Sequence, residues 1–227
     1  MTETTVPPGA PDLAAVLARS AEFYQALHAV LGDTLEVETH RDLLTHGTCS
    51  IAIDHGRSVC VLVEMDNVAS AIVLQRAQFE AVVRALWLHD LATDDWLERY
   101  FAAVKANPMK DPNFSKQVHE MLPALADSRH APAARMLNTL KEAAWGPLNS
   151  YVHSGIHPII QHHAGFPPEY AIQLLLNSNG LSGMAALLMA MMTDDVDTVM
   201  AVRNAQLAHL DCLPPLNPAA AQTAPGQ

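Results

Sequence analysis

Three polar residues, Asn149, His153 and His157, stand four apart in the run Trp145-Gly146-Pro147-Leu148-Asn149-Ser150-Tyr151-Val152-His153-Ser154-Gly155-Ile156-His157-Pro158. Imidazole gains and loses a proton near neutral pH, so two histidines one helical turn apart form a candidate acid and base, with the Asn149 carboxamide to orient a neighbour. A second constellation lies upstream, where Arg76, Glu80 and Arg84 also step by four. On a helix the central carboxylate can pair with both arginines, which makes the ladder a structural device for burying charge. An arginine that keeps spare N–H donors beyond such pairing can instead hold an anion. Both readings of the ladder stay open at this point. His153 and His157 are also spaced to share a metal ion, with Glu80 or His162 as a third ligand. Neither an HExxH pattern nor a cysteine set accompanies them, and no metal or other cofactor is assigned.

The elements that position these residues read as helices. Gly146-Pro147 is a stop-then-start pair, so one helix is expected to end there and another to begin near Leu148. On the new helix Leu148, Val152, Ile156 and Ile159 make an apolar stripe beside the polar one, and Pro158 kinks or ends it. The Arg76 ladder lies on a helix over about 68–92, capped by Asn67 and apolar around most of its circumference, which places it centrally in the fold.

Elsewhere the start and stop signals give helices over 13–31, closed by Gly32, and over about 43–65. Within the latter, residues 58–64 also suit a strand, but no second strand is in sight to pair with it. Asp94 or Asp95 opens the next helix, Ser115 caps one over about 116–125 that Pro123 interrupts, and another spans about 132–145. His162 to Pro168 reads as a turn. The following helix, from Pro167, breaks at Asn179-Gly180 or continues through Met192, and Thr193 or Asp194 caps the last, ending near Leu210. The sum is an all-α single bundle of about seven to nine helices over 12–212, with a disordered lead over 1–11 and a disordered tail over 213–227.

Composition sets the outer bounds. Of 227 residues half are hydrophobic and only 5% aromatic, enough for one well-filled core of Ala, Leu, Val and Met. A formal charge of −11 argues against a protein whose main surface coats nucleic acid, while leaving room for a local basic patch. Three cysteines without paired spacing indicate neither a disulfide framework nor a zinc ribbon and suit a reducing cytoplasm. The N-terminus lacks the pattern of a signal peptide. The greasiest run, Leu181 to Met192, is too short for a bilayer, which takes about 20 residues, and reads as a core helix. Its methionines fill the core or line a dimer interface.

Together, Arg76-Ala-Gln-Phe-Glu80-Ala-Val-Val-Arg84-Ala-Leu-Trp87 and Leu148-Asn149-Ser150-Tyr151-Val152-His153-Ser154-Gly155 resemble the HEPN superfamily, in particular an uncharacterised bacterial branch of it. The resemblance covers about 43–163. It implies a helical bundle that forms homodimers and, for many members, metal-independent RNase activity in toxin–antitoxin or phage-defence systems, with an antitoxin or other protein as partner. The motif of that superfamily is an arginine, a polar residue and then a histidine a few residues on. Asn149 and His153 match its second and third members, while Leu148 stands in the arginine's place. Metal-free RNA cleavage needs a base for the 2′-OH, an acid for the leaving oxygen and a cation for the developing charge. His153 suits either proton-transfer role, His157 or a second protomer's His153 the other, and Arg84 or Arg76 the cation. Glu80, Tyr151 and Ser154 complete the expected ligand contacts. The alternative is a non-catalytic helical module of the same fold that binds RNA, a nucleotide or a protein partner.

Overall fold

The computed structural model describes residues 12–32, 38–110, 112, 116–153 and 155–215. The expected lead, most of the expected tail and Ser154 lie outside them, as do the side chains of His157 and His162. The described residues form helices and no strand: α1 (Leu13–Leu31), α2 (His40–Glu64), α3 (Val68–Asp90), α4 (Asp94–Ala106), α5 (Val118–Ala124), α6 (Ala131–Val152), α7 (Ile156–Ala164), α8 (Pro168–Met191) and α9 (Val196–Ala208). Short 3₁₀ turns follow α5 and α9, at Leu125–Asp127 and Leu210–Cys212. The all-α bundle expected from the sequence is therefore the observed architecture.

Two helices hold it together. α3 buries Ile72, Phe79, Val82, Val83, Leu86, Trp87 and Leu88, and packs on α2, α5, α6 and α8. α8 lies against α1, α2, α3 and α9. It runs unbroken through Asn179-Gly180, because both Asn179 and its neighbours Ser178 and Leu181 are buried between other helices. Its 24 residues make it long and apolar enough to cross a membrane by length and composition, yet 67% of its most apolar window is buried inside the bundle.

α2 is a helix throughout, including the stretch rich in β-branched residues, and begins with a reciprocal capping box in which Asp42 N–H donates to Thr39 Oγ1 at 3.1 Å and Thr39 N–H to Asp42 Oδ2 at 3.0 Å. α4 opens at Asp94, as expected, and Thr93 before it accepts from the Trp96 N–H at 3.2 Å. Asp195, rather than Thr193 or Asp194, accepts from the N–H groups of Asp197 and Thr198, both at 3.1 Å. Ser115, the expected cap of the next helix, lies outside the described residues; α5 starts at Val118, after Gln117, whose N–H donates to Glu120 Oε2 at 2.9 Å.

The largest departure concerns the helix that carries the chemistry. α6 does not stop at Gly146-Pro147 but continues to Val152. Both residues are on the solvent side of α6, so the carbonyl freed by Pro147 faces water, while Leu137, Leu148 and Tyr151 keep burying the opposite side. The chain breaks after His153, the C-cap, where Gly155 N–H closes on Ser150 O at 2.7 Å. Pro158 begins a helix instead of ending one, since it is the third residue of α7, where no intrahelical N–H bond is required. His162 and His163 fall within α7, and the turn comes after them at Gly165, with φ 79°.

Candidate functional site

α3 and α6 pack antiparallel, as three contacts along their length show. Arg76 meets Asn149, Phe79 meets Trp145 with ring centroids 5.4 Å apart, and His89 meets His130 with Nδ1 and Nε2 3.0 Å apart. The Phe79 and Trp145 contact is edge-on and fixes the separation of the helices at the middle.

At the first contact the two constellations of the sequence come together. Arg76 Nη1 donates to Asn149 Oδ1, and Arg76 Nε donates to Glu80 Oε1 at 2.7 Å. The guanidinium carbon lies 3.6 Å from the centroid of the Trp145 ring, which holds the group flat. The Arg76 side chain remains 18% exposed, and its Nη2 has no hydrogen-bond partner among the described residues. Lys141 adds a second positive group 5.5 Å from the same ring. The corner is thus a locally basic, partly open platform on an acidic chain.

His153 continues from Asn149 by one turn, its N–H donating to Asn149 O at 3.1 Å, so its Cα is about 6 Å farther along α6. Its side chain is exposed at the helix end. Leu148, at the position where the resemblance would put an arginine, is buried in the core.

The other expected residues are placed differently. His157 lies beyond the break, on α7, so Asn149, His153 and His157 do not share one helix face. Arg84 is two turns, about 12 Å, from Arg76 along α3, in the direction away from His153. Its Nη2 donates to Lys116 O at 3.4 Å, and among the described residues Glu80 pairs with Arg76 alone, so the ladder is half of what was expected. The cause is the long Arg84 side chain turning toward the segment that enters α5. Tyr151 is buried, its ring 6.2 Å from that of Phe166, and burial, then the nearby Tyr170, pushes its phenol pKa up. Its hydroxyl is therefore held neutral within an aromatic cluster. Among the described residues no group of three or more His, Cys, Asp or Glu is placed to hold a metal ion.

Two further polar clusters carry no signal that the helical periodicity could have shown. One is the His89 and His130 contact at the far end of the α3 and α6 pair. Burial, then the neighbouring His89, lowers the His130 pKa to about 4, and burial also lowers that of His89. The other is a buried seam where α1, α2, α3 and α8 meet. Gln78 Nε2 donates to Ser182 Oγ at 2.9 Å and to Ser178 O at 3.0 Å, Ser178 Oγ donates to Gln78 Oε1 at 2.7 Å, and Tyr24 Oη and Ser182 Oγ are 2.9 Å apart. Gly56 makes room for it, since a Cβ there would meet Ser182 Oγ and Tyr24 Oη at 2.3 Å. Serine and glycine inside the apolar α8 run, with Gly56 in α2, are the traces this seam leaves in the sequence.

Comparison with known proteins adds a family but no activity. No curated protein matches the chain, and no solved structure does. Residues 49–215 match DUF6988, a family of unknown function, and this stretch takes in both Arg76 and His153. The chain belongs to the DUF6988 family.

Proposed function

We propose that this chain is a HEPN-like RNA-processing protein that cleaves RNA without a metal ion, using Arg76 where the superfamily motif would supply an arginine beside Asn149. The observation that supports it is the Arg76 to Asn149 hydrogen bond, which joins a cation on α3 to the polar motif position across 73 residues of sequence. Arg76 is stacked on Trp145 and braced by Glu80, so its Nη2 is preorganised toward an incoming phosphate. His153, one turn on, takes the proton of a ribose 2′-OH as its oxygen attacks the adjacent phosphorus. Arg76 offsets the negative charge that builds on the phosphorane. The bond from phosphorus to the 5′-oxygen then breaks as that oxygen receives a proton, leaving a 2′,3′-cyclic phosphate and a 5′-hydroxyl.

The acid in this scheme is a second imidazole, supplied by His153 of a second protomer. Support for self-association next to the site comes from α7, which packs on α6 and exposes Ile156, Ile159 and Ile160, next to the exposed Val152. A cytoplasmic toxin or phage-defence setting with a protein partner follows from the HEPN resemblance and belongs to the same proposal.

One observation favours a second reading, a helical module that binds RNA without cutting it. Glu80 and Asn149 already occupy two of the Arg76 nitrogens, and Glu80 offsets part of its charge. Binding of single-stranded RNA and cleavage of total tRNA in EDTA, each measured for the wild type and Arg76→Ala, separate the two. Binding and cleavage that both fall at least tenfold in the variant support the ribonuclease. Binding alone that depends on Arg76 supports the module, and folded protein that does neither contradicts both.

A further inference from the structure

The outer face of α9 carries an apolar stripe that the candidate site does not use. Val196, Met200, Arg203, Leu207 and Leu210 follow one another at steps of four, three, four and three, the last of them in the 3₁₀ turn after the helix. Within α9 that spacing keeps Val196, Met200, Arg203 and Leu207 on one face, as in the seam of a two-helix coiled coil, and Leu210 follows just past the helix end. All five are exposed, Val196 at 73%, Leu207 at 62%, and Met200 and Leu210 at 47% each. The opposite side of α9 is the one the bundle uses, with Val202 fully buried and α8 and α1 packed against the helix. Three large apolar side chains aligned on one helix face, with Leu210 exposed just beyond its end, are a candidate contact surface rather than scattered surface residues.

The charge in the middle of the stripe identifies what covers it. Arg203 makes no ion pair among the described residues and is flanked along the seam by Met200 and Leu207. A second copy of this chain, packed about a twofold axis through the centre of the seam, would set Arg203 against Arg203. Like charges brought together in a desolvated seam oppose association. Residues 216–227, which follow this stripe in sequence, contain no acidic side chain to meet the guanidinium. A single polar or charged position inside an apolar seam commonly sets register and partner choice, and here it calls for a carboxylate.

We propose that the outer face of α9 docks an amphipathic helix of another protein, one that places an Asp or Glu within its apolar stripe opposite Arg203. The contact is independent of the RNA-processing reading and lies on a different helix from Arg76 and His153. Val196, Met200 and Leu207 supply the burial and the central ion pair supplies the selection.

The test uses the full chain and two synthetic helical peptides with a Leu and Ile seam, identical except for Glu or Lys at the central seam position. Fluorescence anisotropy is expected to show the Glu peptide binding at least tenfold more tightly than the Lys peptide. Arg203→Glu reverses that order, and Leu207→Asp weakens both by at least tenfold with helical circular dichroism and Tm unchanged. Equal affinity for the two peptides, or binding of neither, overturns the proposal. So does loss of self-association on Leu207→Asp in light scattering, which would give the stripe to a second copy.

Discussion

Arg76 has three partners of different kinds, and each makes a different demand on its side chain. Asn149 takes an N–H donor, Glu80 takes an N–H and a charge, and Trp145 takes a flat cation. Lysine satisfies the charge but not the plane or the fork, so Arg76→Lys is not a conservative change here. The expected outcome is RNA binding weakened about tenfold, or about 1.4 kcal/mol, with the fold retained, as read by anisotropy and circular dichroism. Affinity equal to wild type would show that only the charge of Arg76 matters. At the other end of the same helix pair, His130 stays neutral in the folded chain down to about pH 4, whereas the unfolded chain takes up that proton near 6.5. Between those values the unfolded state binds more protons, so stability falls as pH falls, by up to about 3 kcal/mol for this residue. Urea unfolding at pH 7 and pH 4.5 measures the loss, and His130→Gln should reduce it, leaving the part that the buried His89 contributes. A slope unchanged by the substitution would show that His130 does not contribute to it.

At the scale of elements, α2 and α8 approach closely enough to share a polar seam because Gly56 has no side chain. Gly56→Ala improves helix propensity yet forces a methyl against Ser182 Oγ and Tyr24 Oη, and the overlap outweighs the gain. The expected result is a loss of about 1–3 kcal/mol with RNA binding unaffected, measured by thermal and urea unfolding. A stabilised variant would contradict the tightness of this crossing. Helices were legible from apolar periodicity, and α3 as the central one from its nearly complete apolar circumference. Their ends were less so, because local signals act only where packing allows. Gly146-Pro147 has the chemistry of a helix end but sits on the solvent side of α6, where burial of Leu148 and Tyr151 on the opposite side carries the helix past it. The seam of Gln78, Ser178 and Ser182 was illegible because Gln78 lies 100 residues from Ser178 and 104 from Ser182, and pairings at that separation leave no periodic trace.

Across the whole molecule, a chain of formal charge −11 gathers Arg76 and Lys141 around one tryptophan where α3 meets α6. The sequence put Arg76 forward in one motif and Asn149 with His153 in another, and the bundle brings Arg76 to Asn149 with His153 one turn beyond. Arg84 was an equal candidate in the sequence, since residues eight apart on a helix share a face, but the distance along α3 separates it from His153. The RNA processing proposed for this corner rests on an imidazole and a guanidinium. It is tested by cleavage of total tRNA in EDTA by the purified full chain beside His153→Ala, followed by analysis of the product ends. The expected result is cleavage by the wild type that leaves 2′,3′-cyclic phosphate ends and falls at least a hundredfold in the variant. Cleavage of equal rate by the two proteins, or none by a folded wild type, would contradict the claim.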